Sequence, residues 1–220
     1  ANVANDVTLN GTLKGFDVVV ANGKTLTSTA AKLHGLAITD AGNDTANVVV
    51  TALDAKADAN LGNVSLNTGA TKTANVANDV TFTGTLNGFD VVVANGKTLT
   101  STAAKLTGLT ITDGSNTANV AVTALDATAG ADFSNVDVAG TTVATVSNDV
   151  TFTGDLGGFA VVIADTKTLT STAAKLHGLT ITDAGGHTAN VVVTALDAKA
   201  DANLGNITLN TGATKTANVA

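Results

Sequence analysis

The segment Gly-Phe-Asp-Val-Val-Val at residues 15–20 returns unchanged at 88–93, and it returns as Gly-Phe-Ala-Val-Val-Ile at 158–163. The offsets between the three copies are 73 and 70 residues. A second segment, Lys-Thr-Leu-Thr-Ser-Thr-Ala-Ala-Lys-Leu at 24–33, recurs letter for letter with the same spacing. A long fixed period of this kind is typical of repeat architectures, in which each unit packs on the next.

The period divides the chain into three repeats, at 1–73, 74–143 and 144–216, and residues 217–220 begin a fourth. We expect the repeats to form one continuous structure with no distinct capping sequence at either end. The chain has no initiator Met, and no basic and apolar signal segment is visible at its start. We interpret it as a processed chain or a section of a longer one.

A finer period lies inside each repeat. In the first repeat, short segments that alternate apolar and polar residues begin at Val7, Leu36 and Val64, and the next begins at Val80. The steps are 29, 28 and 16 residues, which together give the 73-residue period. A second apolar run, such as 17–20, follows each segment after about ten residues.

Thr, Val and Ile favour strands, and the Gly, Asn and Asp residues between the runs favour turns. The pattern therefore predicts an all-β fold, a parallel β-solenoid of about nine coils, right-handed by the crossover rule. Residues 28–33 and 53–58 are the best helix candidates, and we expect single helical turns there at corners of the coil. The alternative is a tandem array of β-sandwich domains, but such domains usually have about 100 residues and a buried Trp, which this chain lacks.

Composition excludes several classes of protein. With 44% hydrophobic and 13% charged residues, the chain is too apolar for intrinsic disorder. No apolar stretch reaches 18 residues, so we expect no membrane span. A net charge of −7 with no Arg argues against a nucleic-acid partner. Zero Cys excludes disulfides and Cys-ligated metals.

Two outward-facing sets of residues are candidate interaction surfaces. The first strand of each coil presents small polar side chains, and we expect a ladder able to bind a ligand at Thr81, Thr83, Thr110, Thr112, Thr151, Thr153, Thr180 and Thr182. The second strand is apolar on both faces, which predicts cover on both faces. Either the corner segments (29–35 and its copies) fold over its outward side, or neighbouring rods pack side by side at Val19, Val49, Val92, Val162 and Val192.

Titratable residues give weak signals for chemistry. Asp40 and Asp44 flank a loop that could supply oxygen ligands to Ca²⁺, with Asp113 and Asp183 at the matching positions of the later repeats. The later loops lose the second carboxylate, so turn formation is the simpler interpretation of these Asp residues. The three His residues have no metal-ligand spacing, and no catalytic set is visible, so we expect no cofactor and no enzymatic activity.

Motifs such as Val-Thr-Phe-Thr-Gly at 80–84 and Leu-Thr-Ile-Thr-Asp at 109–113 resemble those of long repetitive bacterial surface proteins, the β-strand-repeat adhesins and filament proteins. The resemblance covers the whole chain and implies an extracellular or cell-surface location with a mechanical or adhesive role. The hypothesis favoured by the sequence is therefore a structural module of a fibre or adhesin stalk, with further copies of the repeat as end-to-end partners. The alternative is a binding module whose Thr/Asn ladder holds a polysaccharide or ice.

Overall fold

The computed structural model describes residues 1–42, 45–114, 117–185 and 188–219. The strands of the first repeat are β1 (Asn2–Val3), β2 (Val7–Thr8), β3 (Val18–Val20), β4 (Thr25–Ser28), β5 (Ile38–Asp40), β6 (Asn47–Val50) and β7 (Val64–Ser65), and β8 (Thr71–Val76) crosses into the second. The second repeat continues with β9 (Val80–Thr81), β10 (Asp90–Val93), β11 (Thr98–Ser101), β12 (Ile111–Asp113), β13 (Asn119–Val122), β14 (Val136–Asp137) and β15 (Thr142–Val146). The third has β16 (Val150–Thr151), β17 (Ala160–Ile163), β18 (Thr168–Thr172), β19 (Ile181–Asp183), β20 (Asn190–Thr194), β21 (Ile207–Thr208) and β22 (Thr214–Ala217).

Short helices occupy the corners, as the sequence predicts. They are α1 (Ala30–Leu33), α2 (Ala103–Leu106) and α3 (Ala173–Leu176), with 3₁₀ turns η1 (Leu53–Ala55), η2 (Leu125–Ala127) and η3 (Leu196–Lys199). No helix among the described residues is long and apolar enough to cross a membrane.

Contacts group the chain into two compact blocks whose bounds fall inside the second repeat. The first block comprises residues 1–100, 109–119 and 137–140, and the second comprises 101–108, 120–136 and 141–220. In the first block, parallel strands stack in the orders β1-β3-β5-β7 and β2-β4-β6-β8-β10-β12, and β9 pairs with β11. In the second block the orders are β13-β15-β17-β19-β21 and β16-β18-β20-β22.

The fold is thus all-β, and each block is a stack of parallel coils, which is a β-solenoid. Every strand pairing among the described residues of the blocks is parallel; in the first block, for example, Val18 pairs with Ile38 and Ile38 with Val64. A tandem β-sandwich is built from antiparallel strands, so that alternative is excluded.

The core is formed by the inward residue of each alternating pair. Val18 and Val20 are fully buried on β3, whereas Val19 between them is only half-buried. The same alternation occurs on β6 and β17. Among the largest fully buried side chains are five of the six Phe residues, Phe82, Phe89, Phe133, Phe152 and Phe159.

The coils are shorter than the 29-residue step that the sequence suggested. Val7 does not stack on the Leu36 segment; it pairs with Leu26, 19 residues on, which in turn pairs with Val48. The segment 25–28, to which the sequence analysis assigned no strand, forms β4, because its Thr-Leu-Thr-Ser pattern alternates and Leu26 is buried. Each repeat therefore contains an additional rung that we did not predict.

The sequence repeat and the stacking order are out of phase. Residues 74–76 of β8 repeat the Ala-Asn-Val of 1–3, yet β1 stacks on β3, whereas β8 joins the sheet begun by β2. Strand β8 pairs backward with β6 through residues 71–74 and forward with β10 through residues 73–76. Each coil contributes one strand to each of two sheets, and the described residues of the first repeat form seven strands. One repeat therefore makes three full coils and one additional strand, so the next repeat begins on the opposite sheet.

Candidate functional site

The candidate calcium ligands are used in bonds between coils. Asp40 accepts hydrogen bonds from the backbone N and Nδ2 of Asn67, at 2.6 and 2.8 Å. Asp183 makes the same two bonds with Asn210, and Asp113 accepts one from the amide of Ala139. Asp44 lies outside the described residues. Among the residues that are described, no group of three or more His or Asp side chains could hold a metal ion.

Other recurring Asp residues fasten one coil to the next in the same way. Asp6 Oδ1 accepts the amide of Thr25, and Asp79 and Asp149 accept those of Thr98 and Thr168, at 2.8 to 2.9 Å. The bonds link strands that are neighbours in the stack. The Asp pattern that recurs in every repeat therefore has a structural explanation.

Asp54 and Asp126 each hold two groups of the following repeat. Asp54 accepts the amide of Ala77 and Nδ2 of Asn78, at 2.9 and 2.8 Å. Partial burial alone would raise the pKa of Asp54, but the hydrogen bonds from Asn78 and Ala77 outweigh it and lower the pKa. The pKa of Asp126 is lowered by the same balance, with Asn148 and Ser147 as donors.

Two of the His residues also serve the coil stack. Nδ1 of His34 accepts the amide of Asn60 at 2.9 Å, and Nδ1 of His177 accepts that of Asn203 at 2.9 Å. The second repeat has Thr107 at this position, and its hydroxyl accepts the amide of Asp132 at 2.9 Å. A ring nitrogen and a hydroxyl oxygen thus accept the equivalent backbone hydrogen bond in different repeats. His187 lies outside the described residues.

The predicted Thr ladder is divided among separate sheets. In the first block, Thr81 pairs with Thr100 on β11, whereas Thr112 pairs with Val92 on β10. In the second block, Thr151 and Thr182 lie on β16 and β19, which belong to different sheets. The four remaining members lie outside the strands: Thr83, Thr110, Thr153 and Thr180. The structure does not bring these hydroxyls together into one flat array within either block.

The outward valines do not form one column either. All five are half-buried, and each has Thr or Asn on the neighbouring rungs; Val49, for example, lies between Thr27 and Thr73, and Val192 between Thr170 and Thr216. The others lie likewise: Val19 between Asn2 and Thr39, Val92 between Asn75 and Thr112, and Val162 between Thr145 and Thr182. The α1 corner packs on η1, the next corner in the stack. These valines therefore offer small separate apolar patches.

A shallow groove in the third repeat has a volume of about 390 Å³ and is lined by Asp155, Lys175 and His177 among others. Lys175 Nζ lies 3.9 Å from Asp155 Oδ2, and both side chains are largely exposed. His177 already uses Nδ1 to accept a backbone amide. The charged pair of the groove is therefore open to solvent, and its histidine takes part in the bonds between coils.

Large apolar side chains are unusually exposed on the first coils of the first repeat. Phe16 is 58% exposed, whereas the Phe residues at the same repeat position, Phe89 and Phe159, are 1% and 0% exposed. Val7 is 41% exposed, whereas Val80 and Val150 are each 8% exposed. We call the surface formed by Val7, Leu9, Gly11 and Phe16 the Phe16 face.

A matching opening lies on the last coil of the third repeat, at Ala202, Leu204, Ile207 and Lys215, which we call the Leu204 face. A cavity of about 210 Å³ there is lined by Leu204, Ile207 and Lys215 with neighbouring strand residues. The homologous Ala59, Leu61 and Val64 of the first repeat are all fully buried. The sequence analysis did not identify either face, although the invariant Gly-Phe pair of the repeats was a signal that could have located the first.

Comparison with models of protein families, with curated proteins and with solved structures finds no match to this chain.

Proposed function

We propose that the chain is a structural module of an extracellular bacterial fibre, filament or giant adhesin stalk, and that it extends by end-to-end stacking of β-coils. The observation that carries the proposal is the exposure of Phe16 and Val7 on a surface whose copies in the later repeats are buried. Soluble proteins rarely leave such apolar groups and open strand edges uncovered unless a further coil packs there.

The use of the polar side chains supports the same proposal. Recurrent Asp, Asn and His side chains form hydrogen bonds between coils, such as Asp40 with Asn67 and His34 with Asn60. This arrangement favours a mechanical role because it strengthens the stack along its length. The extracellular location rests on the resemblance to long repetitive surface proteins.

Lateral bundling and ligand binding are not part of the proposal. Bundling through one apolar stripe would need the outward valines to stack directly on one another. Each valine instead has Thr or Asn at the paired positions of the strands above and below it. Ice or polysaccharide binding through the Thr ladder would need its hydroxyls on one sheet, and they are divided.

Electron microscopy and sedimentation velocity of the purified chain over a wide range of concentration test the proposal. We expect unbranched rods that lengthen with concentration, with a spacing of about 4.8 Å along the rod in fibre diffraction. A monodisperse monomer at every concentration would contradict it. Antibody labelling of intact and permeabilised cells of the source organism tests the location, and signal only after permeabilisation would contradict an extracellular module.

A further inference from the structure

The junction between the first and second repeats shows how one repeat covers the next. Here Lys72 lies over the ring of Phe89, with Nζ 5.6 Å from the ring centre. The same Nζ donates hydrogen bonds to the carbonyl oxygens of Val64 and Asn87. Burial of Lys72 lowers the pKa of its amine. The junction is thus a specific packing contact between side chains and backbone groups of both repeats.

Backbone hydrogen bonds join the same two repeats. The amides of Thr83 and Thr85 donate to the carbonyls of Ala57 and Ala59 at 2.8 and 2.9 Å, and Leu61 donates back to Thr85 at 2.9 Å. The junction between the second and third repeats has the same bonds, including Phe133 to Asp155 at 2.9 Å. There, Phe133 stands where the first repeat has Leu61, and its ring lies 5.2 Å from that of Phe159.

Both halves of this junction are present again on the two open faces. Residues 68–77, which contain Lys72, are identical to residues 211–220. Leu204 occupies the repeat position of Leu61. On the Phe16 face, Thr12 is identical to Thr85 and Phe16 to Phe89. Within the described residues, the amides of Thr12 and Leu204 make no hydrogen bond. Each face therefore carries one half of the pairing seen between Thr85 and Leu61.

Glycine marks the closest approach in the junction. A Cβ on Gly84 would overlap the carbonyl oxygen of Ala59, and one on Gly154 would overlap that of Ala131. Gly11, at the same position of the first repeat, has no neighbour for a Cβ nearer than 4.0 Å, and that neighbour is its own Leu9. Nothing among the described residues of the chain requires glycine at position 11, although the junction requires it at both later positions.

We infer that the Phe16 face of one copy of this chain binds the Leu204 face of a second copy and reproduces the junction between the first and second repeats. Phe16 then packs under Lys215, Thr12 exchanges hydrogen bonds with Ala202 and Leu204, and Gly11 lies against the carbonyl of Ala202. This inference rests on the proposed end-to-end stacking and names the surfaces and register by which it occurs.

The register also predicts a competition. Strand β8 uses one Ala-Asn-Val segment, 74–76, to pair with β10. Two docked copies bring two such segments, 217–219 of one and 1–3 of the other, and the register has room for one. A variant that lacks residues 217–220 is therefore expected to assemble at a lower concentration than the full chain.

Disulfide trapping tests the register directly, because the chain contains no cysteine. Thr73 and Asp90 are Cα partners in the internal junction, and their homologues are Thr216 and Asp17. Paired parallel strands lie about 4.8 Å apart, within the range that a disulfide spans. We expect Asp17→Cys with Thr216→Cys to give disulfide-linked oligomers, and Thr73→Cys with Asp90→Cys to give an internal bond as the positive control.

The mismatched pair Thr8→Cys with Thr216→Cys is expected to give oligomers at no more than about a tenth of that yield, because these positions are not partners in the proposed register. Equal yields from the matched and mismatched pairs, or no oligomer from the matched pair while rods still form, would overturn the docking inference and leave the proposed stacking intact. Absence of rods in the unmodified chain at every concentration would overturn both.

Gly11→Ala provides a test that leaves the isolated chain intact. Its added methyl group has space within one copy but would meet Ala202 of the next, so we expect association to weaken at least about tenfold with unchanged unfolding. Gly130→Ala is the control, because a Cβ there meets nothing nearer than Thr153 Oγ1 at 3.8 Å. If Gly11→Ala assembles as readily as Gly130→Ala, the Phe16 face is not the docking surface.

Discussion

The surfaces around Phe89 and Phe16 are built from nearly the same sequence, yet one is buried and the other exposed. Residues 88–93 and 15–20 are identical, and Gly84 and Gly11 occupy the same repeat position. The side chain of Phe89 is 1% exposed and that of Phe16 is 58% exposed. Phe89 is buried because the first repeat places Lys72 over its ring and joins residues 57–61 by hydrogen bonds to residues 83–85. In a stacked fold, the burial of a residue is thus decided by its neighbouring repeat as much as by its own sequence.

The largest expected difference in stability between the two surfaces comes from removing their aromatic rings. Phe89→Ala removes a fully buried side chain, and we expect it to cost about 4 kcal/mol of unfolding free energy. Phe16→Ala removes the same side chain from an exposed position, and we expect a change of no more than about 0.5 kcal/mol in the monomer. Urea denaturation at low protein concentration measures both. Equal losses would mean that Phe16 is packed within its own chain.

The glycines give the next largest contrast. Gly84→Ala forces a methyl group against the carbonyl oxygen of Ala59, and we expect a loss of about 3 kcal/mol because the backbone of two coils must separate. Gly11→Ala is the matched variant and is expected to unfold like the unmodified chain. Thermal unfolding followed by circular dichroism compares the two. A Gly84→Ala protein with unchanged stability would show that the coils do not approach as closely as described.

Acid should weaken the internal junction. The pKa of Asp54 is lowered in the folded chain, so its contribution to stability is present above the ordinary carboxyl pKa and is lost as the pH falls through the lowered value. We expect Asp54→Ala to cost about 1 kcal/mol at neutral pH, and to make stability less dependent on pH in the acid range. The control is Asp137→Ala, which removes an exposed carboxylate on β14. A pH profile of unfolding that is the same for both variants would contradict the role given to Asp54.

The smallest effect concerns bonds between coils within a repeat. His34→Thr is expected to be nearly neutral, because Thr107 makes the equivalent bond in the second repeat. His34→Leu keeps a similar size but offers no acceptor to the amide of Asn60, so we expect a loss of about 0.5 to 1 kcal/mol. Chemical denaturation of the two variants side by side measures the difference. If His34→Thr is as unstable as His34→Leu, the ring contributes through packing instead.

The sequence analysis predicted the β-solenoid and the helical corners, because period-two alternation and the long repeat are read directly from residue order. It did not predict strand β4, because the alternation there spans only four residues and is followed at once by a segment that resembles a helix. It also placed Val7 and Ile38 in one ladder, whereas Val7 pairs with Leu26 and Ile38 with Val18. Register between parallel strands depends on the length of the intervening corners, and spacing between similar motifs does not reveal it.

The candidate site was harder to predict for a related reason. The Thr and Val sets were grouped by their equivalent positions in each repeat, which assumes that each repeat returns to the same face. Because a repeat advances by three coils and one face, homologous residues such as Asn2 and Asn75 lie on different sheets. Leu204 and Phe16 became visible only through their burial, which is a property of the assembled coils.

Hydrogen exchange at four amides tests the central claim most directly. Thr85 and Leu61 are bonded across the internal junction, whereas Thr12 and Leu204 are their homologues on the open faces. We predict that Thr85 and Leu61 are protected at every protein concentration, and that Thr12 and Leu204 become protected together as rods form. If Thr12 and Leu204 exchange as fast in rods as in the monomer, the coils do not continue from one copy to the next.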